Sequence, residues 1–189
     1  MLPHFTNIID LRIGKQNLWE NLSQNMRNEV NKATKNGMIV EKGSKSDIEL
    51  LIKLLEHRKR AHSDSTFLPD IFKDFYPDNL NFFIIKKDGV PLTGSINILY
   101  KNKISVWVGT PKVLVDRISP NYLLMWETIC WACQNNFEFF ENISANEVTT
   151  FPFKSKLNPE LVPYYRFNWY SPFPHFLKFL HLGITHQNE

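Results

Sequence analysis

Between Leu80 and Gly109 the chain reads as three apolar runs parted by two tight turns, an arrangement that few folds accept. Leu80 to Lys86, Leu92 to Tyr100 and Ile104 to Gly109 have the character of strands, with Lys87-Asp88-Gly89 and Lys101-Asn102 closing the hairpins. Connections this short make the three strands antiparallel neighbours. Downstream, Ser119-Pro120 places a cap residue before a first-turn proline and opens an apolar helix that runs through Asn135. Being apolar on most sides, that helix is central. The strands before and after it are expected to be parallel, because a helical crossover is what joins parallel neighbours.

The flanking segments extend this pattern. Asn7 to Leu11 reads as a short first strand. From Asn17 to Lys35, Leu18, Leu22, Met26, Val30 and Ala33 recur at spacings of three and four, which predicts one long amphipathic helix stopped by Gly37. Met38 to Lys42 is a strand, and Ser46 with Glu49 has the form of a capping box for a second helix carrying Ile48, Leu51, Ile52 and Leu55. Ser63 to Asn79 is a loop with a short helix near Asp70 to Phe75. The last elements are strands at Phe137 to Ile143 and Leu161 to Trp169, then a tail with Pro172 and Pro174. The expectation is an α/β fold: a mixed, mostly antiparallel central sheet flanked by helices, in one domain over residues 1–170 with an aromatic and proline-rich tail over 171–189.

A hydrophobic fraction of 43% with 14% aromatics in 189 residues describes a globular chain with a sizeable core. No apolar run approaches the roughly 20 residues that span a bilayer, and the first residues lack the regions of a signal peptide, so the expected location is cytoplasmic. The net charge of +3 does not by itself argue for nucleic acid, although residues 1–62 hold 11 Lys and Arg against 7 Asp and Glu. The run HRKRAH reads either as a helix end where cations belong or as a contact for RNA. Cys130 and Cys133 lie one turn apart on an apolar helix without two further ligands nearby, which makes them structural thiols and not a zinc site. No metal site is expected, and the chain has no nucleophile elbow, phosphate loop or dinucleotide fingerprint.

Chemistry concentrates in TTFPFKSKLNPEL, Thr149 to Leu161, a loop between two strand-like runs where Lys154 and Lys156 follow Phe151 and Phe153. On its own the segment reads equally as a solvated basic turn. The order of elements is similar to the GNAT acyltransferase fold. LWENLSQNMRNEVNKATKNG (18–37), PNYLLMWETICWACQNNFEFF (120–140) and FKSKLNPEL together resemble the FemABX-like family of peptidoglycan bridge-forming aminoacyltransferases, specifically its second GNAT-like unit. The resemblance spans residues 18–168. It implies transfer of an activated acyl or aminoacyl group, from aminoacyl-tRNA or acyl-CoA, onto an amine acceptor such as a cell-wall precursor. It implies no tightly bound cofactor, tRNA as a possible partner, and a first unit that here is missing or supplied by a partner chain.

In such a reaction an amine attacks an activated carbonyl, so the protein is asked for orientation and positive charge and for no covalent nucleophile. Lys154 matches the family's Phe-Lys and is the first candidate for a catalytic cation, with Phe153 and Lys156 beside it as substrate-binding residues. Arg27 matches the Arg-Asn of the first segment; its guanidinium reads as a grip on phosphate or carboxylate, or as the partner of Glu20 or Glu29. Asn121 and Tyr122 open the central helix, where free N–H groups favour an anion, and are assigned to substrate binding. Tyr164 and Tyr165 on the last strand read either as core and sheet-surface aromatics or as proton donors to the leaving group, with Tyr165 taken as the catalytic candidate. The segment WVGTPKVLVDRISPNYL has only Gly109 where GNAT enzymes carry a basic, glycine-rich coenzyme A loop, which favours a donor other than acetyl-CoA. The alternative to an enzyme is a non-catalytic GNAT-like module that binds a partner through Trp169 to Phe179.

Overall fold

The meander supplies three adjacent strands of a seven-stranded sheet. In the computed structural model, residues 4–59, 75–109, 113–142 and 154–165 are described. The elements are β1 (His4–Asp10), α1 (Lys15–Asn21), α2 (Gln24–Lys35), β2 (Met38–Lys42), α3 (Ile48–Lys59), β3 (Leu80–Lys87), β4 (Val90–Tyr100), β5 (Lys103–Gly109), α4 (Pro120–Gln134), β6 (Phe139–Asn142) and β7 (Glu160–Tyr164). The strand order is β2-β3-β4-β5-β6-β1-β7. All neighbours are antiparallel except β5 and β6, which are parallel and joined through α4. At the two tight turns Asp88, Gly89 and Lys101 take positive φ (51°, 76° and 53°), the left-handed geometry that a two-residue hairpin requires.

Two apolar clusters hold the sheet. On one face Ile9, Phe140 and Ile104, lateral neighbours across β1, β6 and β5, pack with Leu18, Met26, Val30, Trp126 and Ile129 from α1, α2 and α4. On the other, Leu80, Phe82, Ile84 and Ile96 pack against Leu51 of α3. Each such side chain stabilises by roughly 1.5–3 kcal/mol on leaving water. Cys130, in α4, is buried, and burial pushes its thiol up to about 11, so it stays protonated; Cys133 is half-buried and neither forms a disulfide.

Several local expectations are corrected. The long helix of residues 17–35 is two helices: Leu22 is extended (ψ 144°), and Ser23 caps α2 by accepting from the Met26 N–H at 3.3 Å. The periodic apolar spacing runs through the break because Leu22 and Met26 remain on the core side. The capping box belongs to Ser44 and Asp47, two residues earlier than expected, where a 3-10 turn precedes α3. Ser119 makes no side-chain capping bond at α4. β1 begins at His4, and β6 begins at Phe139, two residues later than expected, because Phe137 N–H bonds back to Ala132 in the helix end; its expected last residue, Ile143, lies outside the described residues. The expected short helix near residues 70–75 falls almost wholly outside the described residues, as do the end of the last strand beyond Tyr165 and the tail 171–189.

β5 contains a bulge that matters for the site. Ile96 of β4 faces Val108, yet the next residue, Asn97, faces Val106, so Trp107 is an extra residue that bends the end of β5. Among the described residues the β5–β6 ladder ends at Val106 and Asn142, while β5 continues to Gly109. Among the described residues no helix is long and apolar enough to cross a membrane.

Candidate active site

In an open sheet with a helical crossover, ligands bind outside the carboxyl ends of the parallel strands. Here that is the region beyond Val106 and Asn142, where α4 begins. The sheet is polar at this level: Asn81, Asn97, Asn142 and Asn7 are buried, and Asn81 pairs with Asn97, Val106 with both Asn97 and Asn142, and Asn142 with Asn7 across the strands. Asn97 Nδ2 donates to Asn81 Oδ1 at 2.9 Å, but Asn7 Oδ1, Asn97 Oδ1, Asn81 Nδ2 and Ser95 Oγ have no hydrogen-bond partner among the described residues. Such atoms cost about 1–3 kcal/mol each when left unpaired, so this row stands out as polar capacity held at one level of the sheet. Each Asn lies on a different strand, so no pattern along the sequence marks the row.

The cationic part of the site comes from the turn before β7. Lys154 is only 8% exposed, and Ser155–Leu157 form a 3-10 turn with Leu157 buried in the core. The turn is seated on α2, where the Ser23 N–H donates to the Lys156 carbonyl at 3.0 Å. From there the Lys156 ammonium donates to Tyr122 Oη at 2.5 Å and to Asn25 Oδ1 at 3.1 Å, and lies 4.8 Å from the centre of the Tyr122 ring. Lys156 and Tyr122 are therefore in contact, with Lys154 on the same turn. Asn25 completes the cluster and was missed in the sequence, where an Asn in a helix's first turn carries no distinguishing mark.

The other candidates are placed elsewhere. Asn121 Oδ1 accepts from Thr93 Oγ1 at 3.0 Å, which ties the start of α4 to β4. At that same end Glu29 Oε2 accepts from the Ser119 N–H at 3.4 Å, so the anion next to the helix start is the protein's own carboxylate. Arg27 Nη1 donates to the carbonyls of Trp19 (3.4 Å), Glu20 (2.6 Å) and Leu22 (2.7 Å), and Nη2 donates to Gln24 Oε1 at 2.8 Å. Its guanidinium satisfies the carbonyls left open where α1 ends, a role different from the grip on phosphate or carboxylate and from pairing with the Glu20 or Glu29 carboxylates. Tyr165 is 58% exposed and follows β7, whereas Lys154 precedes it; five residues of extended chain, about 17 Å, lie between them. Phe153 lies outside the described residues. Among the described residues no group of three or more His, Cys, Asp and Glu is placed to hold a metal.

The assignment of Arg27 to the α1–α2 joint has a measurable consequence. Arg27→Ala is expected to lower unfolding free energy by about 1–3 kcal/mol through its orphaned carbonyls, read from urea denaturation, with little change in any turnover. A large loss of turnover at unchanged stability would return Arg27 to the substrate.

A second polar cluster sits across the parallel pair. Glu141 accepts from Lys103 Nζ (2.6 Å), Ser105 Oγ (2.8 Å) and Thr6 Oγ1 (2.9 Å). Burial pushes its carboxyl up, but the Lys103, Ser105 and Thr6 bonds together hold it below its ordinary value of 4.5. A carboxyl lowered in the folded state contributes stability that is present above its unfolded value and is lost as pH falls through the folded one. Denaturation midpoints of the wild type and Glu141→Gln should therefore differ most at pH 7 and converge as pH falls below 4.5 and through the lowered folded value. A gap that stays constant with pH would show that the charge is not what stabilises.

A parallel pair joined through a crossover helix, with a bulge in one of its strands and the Lys156–Tyr122 contact at the helix start, has the architecture of an acyltransferase-type α/β domain. The chain belongs to the Acetyltransferase (GNAT) domain family, which matches residues 20–155. No curated protein matches the sequence. Among solved structures, FemX superposes with a TM-score of 0.74 at 12% identity, covering 85% of this chain and 60% of its own. L-PGS from Bacillus licheniformis gives 0.61 at 13% identity, over 93% of this chain and 64% of its own. The aminoglycoside acetyltransferase meta-AAC0020 from an uncultured soil metagenomic sample, in complex with sisomicin, gives 0.52 at 13%, over 72% and 97%. At these identities the likeness is one of fold. The chain spans about 60% of the length of FemX.

Proposed function

We propose that this domain is an acyl or aminoacyl transferase that moves an activated group onto a primary amine, with Lys154 and the Lys156–Tyr122 pair at the reacting end of the sheet. The observation that carries the reading is the placement of these side chains. Lys156 is bound to Tyr122 in the first turn of α4, the buried Lys154 lies two residues before Lys156 at the head of the Ser155–Leu157 turn, and α4 is the helix that joins the parallel strands β5 and β6. Attack of an amine on an ester or thioester builds negative charge on the carbonyl oxygen, and a fixed ammonium in a partly desolvated place stabilises it by more than it stabilises the ground state. Tyr122, held by Lys156, adds a hydroxyl able to relay a proton at the same spot.

The donor in this proposal is an aminoacyl ester, as on tRNA, in preference to acyl-CoA. Coenzyme A presents a diphosphate, and the helix start that would receive it already faces the Glu29 carboxylate and has Pro120 in its first turn, which removes one N–H. The loop leading there closes on itself through a bridge between Val115 and Ile118, and Asp116 is bound by Lys87 at 2.9 Å. Resemblance to the peptidoglycan bridge-forming aminoacyltransferases and the fold shared with FemX support an aminoacyl donor and a cell-wall amine as acceptor; the aminoglycoside acetyltransferase supports an amine acceptor more generally. The test is to incubate the protein with an amine and, separately, charged tRNA pools or acyl-CoA. Amine-dependent loss of the tRNA ester with no turnover of acyl-CoA is expected. Turnover of acyl-CoA alone would overturn the donor assignment, and turnover of neither donor, with a panel of amines, would overturn the activity.

A further inference from the structure

A cavity of about 190 Å³ lies where Leu157, at the end of the Ser155–Leu157 turn, meets β1, α1 and α4. It exists because β1 outruns β7. Their last pair is Ile8 with Glu160, and β1 continues to Asp10, while the chain entering β7 turns away at Asn158, which takes a left-handed conformation (φ 51°). The space left at the sheet edge is closed by α1 and α4. Its floor is apolar, formed by Ile9, Leu18, Leu22, Trp126, Ile129 and Leu157.

We infer that this cavity binds a small primary amine carried on a branched aliphatic or aromatic stem. Size sets the stem: a protein cavity of about 150 Å³ holds a benzene ring, so a benzyl or five-carbon branched group fits here with its polar end at the mouth. Charge sets the head group. Two acids line the cavity, Asp10 and Glu160. Asp10 is neutralised by Arg12, whose Nε and Nη2 donate to it at 2.9 and 2.7 Å. Glu160 has no ion-pair partner among the described residues, which leaves one uncompensated negative charge at an otherwise apolar site. A cation is favoured there and an anion is repelled. Asn21 and Asn158 at the same rim supply amide groups to hydrogen-bond the head.

The cavity adjoins the candidate active site. Leu157 is three residues from Lys154, at most about 11 Å along the chain, and Trp126 stands one helical turn after Tyr122. An amine of this class is also what the proposed transfer needs as acceptor, and that assignment alone rests on the transferase reading.

The test uses the whole chain and four probes in calorimetric and NMR titrations: benzylamine, 3-methylbutylamine, methylamine and benzyl alcohol. The two larger amines should saturate and methylamine should not, and benzyl alcohol should bind about fivefold more weakly than benzylamine for want of the charge. Both test substitutions lie on exposed residues, so folding is spared: Ile13, at the mouth, is 41% exposed, and Glu160 is exposed. Glu160→Gln should erase the difference between benzylamine and benzyl alcohol, and Ile13→Trp should weaken both about tenfold or more by filling the mouth. Equal binding of amine and alcohol to the wild type, or benzylamine binding unchanged by Ile13→Trp, would overturn the inference. Saturable binding of benzylamine without its acylation by any donor would uphold the cavity and count against the transferase reading. Acylation of benzylamine that Ile13→Trp leaves untouched would overturn the cavity as the acceptor's place.

Discussion

Lys154→Met is expected to lower kcat for group transfer by about 100- to 1000-fold, the usual loss when one preorganised donor to a developing oxyanion is removed. Methionine keeps the unbranched stem and much of the volume at a position that is 8% exposed, so the substitution removes charge with little change in packing. The expected signature is a fall in kcat with KM nearly constant, because the charge on the carbonyl oxygen appears only in the transition state. Lys156→Met should behave differently. Its ammonium is bound to Tyr122 and Asn25, so losing it frees two side chains and disturbs KM together with kcat. Equal thermal unfolding of wild type and Lys154→Met is the control. A Lys154→Met variant that folds and turns over at the wild-type rate would remove this lysine from the chemistry, whatever the donor.

The sequence and the structure agree most where the chain's information is local. The hairpins at Asp88-Gly89 and Lys101 are written in residues that tolerate positive φ, and the parallel β5–β6 pair follows from an apolar helix too central to be anything but a crossover. The break between α1 and α2 was hidden for a physical reason. Leu18, Leu22 and Met26 keep helical spacing across it, and its signs are a serine that caps α2 and an arginine that gathers the carbonyls of the preceding turn. Arg27, Lys156 and Tyr122 were each visible as chemistry-bearing residues, but their employment was not. It depends on which elements touch: Lys156 meets Asn25 across 131 positions of sequence and Tyr122 across 34. The buried Asn row is of the same kind, since it exists only once the register of β3, β4, β5, β6 and β1 is set. The bulge at Trp107 likewise leaves no mark in composition.

The largest stability effect is expected at a residue that carries no chemistry. Gly43 follows β2, and a Cβ built there would lie 1.8 Å from Phe82 Cε2, with two further ring atoms at 2.4 and 2.5 Å. Phe82 has nowhere to go. It is fully buried, centred in the cluster of Leu51, Leu80, Ile84 and Ile96 against α3, with the Tyr76 ring 5.9 Å away. The backbone cannot retreat easily either, because Gly43 N–H donates to the Phe82 carbonyl at 2.9 Å and the Gly43 carbonyl accepts from Tyr76 Oη at 3.2 Å. Overpacking a tight core costs about 1–3 kcal/mol and occasionally more, and with ring and backbone both held Gly43→Ala belongs at or above the upper end. Urea denaturation should show a midpoint shift to match, with an unchanged slope. The cause is separable from a general intolerance at this turn by pairing Gly43→Ala with Phe82→Leu, which alone should cost about 1–2 kcal/mol for the lost ring. If the methyl and the ring compete for one space, the double variant is more stable than the sum of the two single losses by about 1–3 kcal/mol, the coupling expected of residues in direct contact. Strict additivity, or a Gly43→Ala variant as stable as the wild type, would mean that Phe82 does not hold α3 to the sheet in the way this packing requires.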